Sequence, residues 1–103
     1  MEHGKVINGD FKKARVIIPT NKNYFFIDTF WSTKTIFNSD IKAYQLVEKP
    51  DDIITILVIM YEYKGKSCCS LLALHDEGPE LFKSFIQESN AQERTDLLKI
   101  FGL

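Results

Sequence analysis

The stretch IITILVIMYEYK, residues 53–64, constrains the fold more than any other part of the chain. Its β-branched and aromatic residues favour a strand, and successive side chains of a strand point to opposite faces. One face then carries Ile53, Leu57, Ile59, Tyr61 and Tyr63, and the other Ile54, Ile56, Val58 and Met60. An antiparallel strand that borders water alternates apolar with polar residues; this one is apolar on both sides and needs cover on both. The run is far shorter than the ~20 residues of a membrane-spanning helix. One cover is the interior of a bent sheet. The other is a docked C-terminal segment or a second subunit.

Similar strand signals recur upstream and downstream, separated by turn residues. ARVIIP (14–19), YFFIDTFW (24–31), TKTIFN (33–38), IKAYQLVE (41–48) and SCCSLLAL (67–74) join the long run as six strands, and KVIN (5–8) adds a seventh at an edge. The links are too short for crossover helices, so the expected arrangement is an antiparallel meander. After Leu74 the periodicity changes. Pro79 suits a first helical turn, and Leu81, Phe82, Phe85 and Ile86 form one helical stripe. NAQERTDLLKIFGL (90–103) reads as a second helix, with Asn90 and Glu93 as a capping pair and Gly102 at its end. A continuous helix would rotate the Leu97/Leu98/Phe101 stripe by about 110° from the first, so a break falls near Ser89–Asn90. The expected fold is α+β in one domain over 1–103: a curled antiparallel sheet or partly open barrel of 6–7 strands (about 5–74), closed by helical segments over 79–101.

Within this frame, SDIKAYQLVEK (39–49), between TKTIFN and a long hairpin with a Lys-Gly-Lys turn, resembles small bacterial pleckstrin-homology-like domains. Asp40, Ile41, Tyr44, Leu46 and Val47 match that family's strand opening, and Leu81, Phe82, Phe85 and Ile86 match its closing helix. The resemblance spans roughly residues 14–88. It implies a barrel closed at one end by a C-terminal helix and a binding scaffold in place of a catalyst.

Charge and composition narrow the function further. Thirteen basic and fourteen acidic residues give a net charge of -1, which lacks the basic field that collects nucleic acid. The N-terminal MEHGKVINGDFKK has no apolar leader segment, and the expected compartment is the cytoplasm. His75-Asp76-Glu77 is the compact cluster of catalytic residue types, yet His3 is the only other histidine, and the trio reads as a polar strand-to-helix corner. Cys68 and Cys69 are the only cysteines; as strand neighbours they face opposite ways and share no metal ion easily. Tyr24, Phe25, Phe26, Phe30 and Trp31 lack the interleaved lysines of a base-stacking platform and read as core and interface.

The function expected from these residues is a non-enzymatic protein-interaction module without cofactor, metal or small-molecule substrate, pictured as a homodimeric bacterial or phage accessory protein. Trp31, Leu97, Leu98 and Phe101 are its candidate interface. The alternative is a binder of anionic ligands or lipid headgroups, in peripheral contact with a membrane. Lys12, Lys13, Arg15 and Lys22 around the first hairpin are the candidate residues, by analogy with the family's eukaryotic relatives.

Overall fold

The long strand is central and covered on both sides. The computed structural model describes residues 2–103. It contains strands β1 (Gly4–Gly9), β2 (Arg15–Ile17), β3 (Tyr24–Asp28), β4 (Thr33–Phe37), β5 (Ile41–Val47), β6 (Ile54–Tyr63), β7 (Lys66–His75) and β8 (Gln92–Glu93), with one helix, α1 (Gly78–Ile86). The strands form one sheet in the order β4-β3-β2-β1-β7-β6-β5-β8. All neighbours are antiparallel except β5 and β8. Two meanders, β1–β4 and β5–β7, are therefore joined where β1 pairs with β7. The single meander expected from the short links does not form, and KVIN lies inside the sheet instead of at its edge.

A three-residue link explains why this sheet must curl. β4 and β5 are six strand positions apart, about 29 Å in a flat sheet at ~4.8 Å per strand. Only the 3-10 turn Asn38–Asp40 joins them, and four Cα steps reach at most about 14 Å. The sheet bends until its two ends approach, giving a half-barrel with a concave interior. α1 closes it: Phe82, Phe85 and Ile86 are buried there with Phe25, Ile27, Leu57, Ile59, Tyr61 and Leu72. Phe85 meets Phe25 edge-on at 5.3 Å between ring centres, and Phe82 meets Tyr44 at 5.7 Å.

The outer face of β5–β7 has a second, smaller core. Ala43, Val58 and Leu71 are buried there with Leu97, and Ile56, Met60, Cys69, Leu98 and Phe101 pack around them. This corrects the reading of residues 90–103. They form no second α-helix: Gln92–Glu93 run as a short parallel strand beside β5, and Leu97–Phe101 make a 3-10 turn. Glu93 is consequently in a strand and caps nothing. The Arg94 N–H donates to the Tyr44 carbonyl at 2.8 Å, and the Leu98 N–H to Gln45 Oε1 at 2.9 Å. Gly102, at a φ of 75°, ends the turn as expected. The two leucines and Phe101 named as an interface pack on their own chain, because three apolar side chains in one 3-10 turn suffice to roof the exposed half of β5–β7.

Two measurements check these covers. Phe85→Ala should cost about 3–5 kcal/mol by urea unfolding, the range for emptying a buried aromatic site; an unchanged midpoint would place the stripe in solvent. Ending the chain at Ser89 should uncover Val58 and Leu71 and produce aggregation or a large drop in melting temperature. A truncated protein with full solubility and unaltered melting would show that the roof contributes nothing.

Candidate functional site

Three hairpin tips meet at one end of the half-barrel. Arg15 pairs with Asp28 across β2 and β3, so the β1–β2 turn (10–14) and the β3–β4 turn (29–32) lie side by side. Phe11 links them to the third tip: its ring packs edge-on against Tyr63 at 5.6 Å, while Lys34 Nζ lies 5.4 Å above the same ring. Tyr63 pairs with Lys66 around Lys64-Gly65, both at positive φ, the two-residue turn that matches strand twist. Lys12, Lys13, Lys34, Lys64 and Lys66 are thereby gathered at one end.

The first of these tips is firmly held. The Asp10 N–H donates to the Cys69 carbonyl, and the Cys69 N–H donates back to Asp10 Oδ2 at 2.8 Å. Ser70 Oγ donates to the Asp10 carbonyl at 2.7 Å and receives the buried Tyr61 hydroxyl at 2.8 Å. Burial pushes the Tyr61 hydroxyl pKa well above its ordinary value. Gly9 permits this close approach, since a Cβ there would stand 2.3 Å from the Cys69 carbonyl oxygen and its φ is 84°. Sequence reasoning offered no signal for this anchor, because its partners are about sixty residues apart.

The β3–β4 tip carries the most exposed aromatics. Phe30 and Trp31 keep 90% and 88% of their surface in water and meet each other edge-on at 4.8 Å. The turn beneath them is closed by the Thr29 N–H donating to the Ser32 carbonyl at 2.9 Å and by Lys34 Nζ donating to Thr29 Oγ1 and Ser32 Oγ. Of the five aromatics expected in core and interface, Phe25 is buried, whereas Phe30 and the candidate interface residue Trp31 are left exposed.

The basic residues expected around the first strand are divided between the two ends of the barrel. Lys12 and Lys13 project from the first tip. Arg15 is engaged with Asp28, whose other oxygen accepts from Thr33 Oγ1 at 2.9 Å; the Thr33 hydroxyl and Arg15 together lower the Asp28 pKa. Lys22 is at the opposite end, because β2 carries the chain across the barrel before the next turn. There it borders a cleft of about 420 Å³ lined also by Asn21, Asn23, Asn38, Ser84 and Phe85.

The two histidines belong to the strand-to-helix corner. His75 Nδ1 is 2.9 Å from Asp76 Oδ2, and its Nε2 is 3.6 Å from Glu2. Buried His3 accepts the Ile18 N–H at Nδ1, 2.9 Å away, and its carbonyl accepts the His75 N–H. Among the described residues no group of three or more His, Cys, Asp or Glu converges as a metal site would require. Cys68 lies against the inner core and Cys69 against the outer one, and burial raises both thiol pKa values.

Compared with known protein families, curated proteins and solved structures, the chain matches none.

His3 generates a pH prediction. Burial lowers its pKa below 6.5, and its role as acceptor requires the neutral ring. The unfolded chain therefore binds the proton first as pH falls, so stability is full above about 6.5 and declines from there towards the lowered folded value. Melting temperature should drop as pH falls below about 6.5, and His3→Asn should flatten that slope. An identical slope in the variant would assign it to other groups.

Proposed function

We propose that this chain is a non-enzymatic interaction module of the pleckstrin-homology-like kind that grips an acidic partner protein with its three-hairpin end. The observation carrying this reading is the Phe30–Trp31 pair, packed edge-on and uncovered at a tip neighboured by lysines. A covered aromatic buries about 150–250 Å², and Trp is enriched among the residues that dominate binding energy. The lysines act as a charged rim that steers a negatively charged surface and fixes its orientation. The family reading is supported by the β5 opening at Ile41, the β6–β7 hairpin that follows, and α1 closing the barrel after β7.

A second reading, binding to an anionic membrane, is favoured by the composition of the same rim. Lysine is depleted in protein interfaces, whereas each lysine near an acidic lipid surface contributes about 1 kcal/mol. Trp31 is the only tryptophan of the chain and reports on both readings by its fluorescence.

Affinity capture with three baits tests the protein reading: the wild type, Phe30→Ser/Trp31→Ser, and Lys12→Glu/Lys13→Glu. A binding protein retained by the first and lost from the other two is expected, with melting temperatures unchanged because all four residues are exposed. Equal capture by all three baits would remove the hairpin end from function. Phosphatidylserine–phosphatidylcholine vesicles test the second reading. A blue shift of Trp31 emission, reversed by salt, would move the assignment from protein to membrane.

A further inference from the structure

From the β4 edge we infer a second interaction surface, on which two copies of this chain pair antiparallel through that strand. The inference extends the interaction-module reading by naming one partner, yet stands on a face that the hairpin tips do not use. The Asn38 N–H donates to the Asn23 carbonyl and the Thr29 N–H to the Ser32 carbonyl, both in the β3–β4 register. Bonded pairs alternate along an antiparallel ladder, so residues 32, 34, 36 and 38 turn their backbone groups toward β3. Thr33, Thr35 and Phe37 turn theirs outward, at the end of the sheet.

This edge lacks the usual protections. It has no proline, its register with β3 shows no bulge, and the residues whose backbone points outward are uncharged. Its one charge, Lys34, is drawn back to Thr29, Ser32 and the Phe11 ring. The opposite edge differs: two-residue β8 covers β5 there and carries Glu93, with Arg94 following.

The free edge is self-complementary. About a twofold axis at Thr35, that residue meets Thr35 of the second copy, and Thr33 meets its Phe37. The three outward-facing residues then form three bonded pairs, and a pair exchanges two hydrogen bonds. Lys34 falls opposite Ile36, so no like charges oppose each other, and threonine pairs are favourable across strands. Beside the seam lies an aromatic cluster on the outer sheet face that the C-terminal roof does not reach. Tyr24 meets Phe26 at 5.4 Å and Phe37 at 6.0 Å, and Phe37 is 42% exposed. A second copy is the occupant that satisfies this edge without opening a chain of further pairings, because a twofold contact consumes both free edges at once. Antiparallel pairing sends the two Phe30–Trp31 tips to opposite ends of the seam, so the dimer would present two grips facing apart.

Mass measured by light scattering from about 10 to 500 µM should rise from the 11.9 kDa monomer toward twice that value, as suits a contact of modest area. Thr35→Lys and Thr35→Glu should each raise the dissociation constant about tenfold or more, by setting like charges face to face at the axis. Mixing the two variants should restore the dimer. Thr35→Pro should also dissociate it while keeping the wild-type melting temperature, since the N–H removed points away from β3. A wild type that stays monomeric throughout, or a dimer indifferent to all three substitutions, would overturn the inference. A monomer that still bound its partner through Trp31 would leave the hairpin-end reading standing.

Discussion

The structure depends on burying β6 from both sides. Leu57, Ile59 and Tyr61 face the concave interior, whereas Val58 faces outward with Ile56 and Met60 around it. At about 25 cal/mol per Å² of apolar surface, leaving either row in water would remove a substantial share of the few kcal/mol by which a domain of this size is stable. Two unrelated devices meet the two needs: an amphipathic helix inside, and a short irregular roof outside. Ile53, at 88% exposure, lies just before β6 and is reached by neither cover.

Curvature makes the inner device possible. The Asn38–Asp40 link pulls β4 toward β5, and only a curled sheet offers a concave surface deep enough for Phe82 and Phe85. The same curvature gathers three of the hairpin tips at one end. Lysines spread over more than fifty residues of sequence thereby become neighbours, although the chain as a whole carries almost no net charge. The binding proposed for this end rests on that local excess of lysines over Asp10, Asp28 and Glu62, and not on overall charge.

The hairpin end and the β4 edge also differ in what they present. The tips offer exposed lysines and two aromatic side chains left largely in water; the edge offers backbone donors and acceptors in a fixed register. The first suits recognition of a surface by shape and charge, and the second suits recognition of another strand. A chain of this size can hold both because its cores occupy the middle of the sheet and leave its margins free.

Much of the fold was legible in the sequence because its signals are local. Alternation located β2 to β7, the Leu81/Phe82/Phe85/Ile86 stripe located α1, and the two-faced run at 53–64 required a double cover. The identity of the outer cover was not legible: Leu97, Leu98 and Phe101 carry helical spacing, and only the parallel pairing of Gln92–Glu93 with β5 sets the segment down as a strand and a 3-10 turn. Nor could spacing separate Lys22 from Lys12 and Lys13, which a single short strand sends to opposite ends of the barrel. Side-chain period and turn chemistry are written into neighbouring residues. Which strands become neighbours, which tips converge and which edge stays open depend on pairings between distant residues, and those exist only once the sheet has curled.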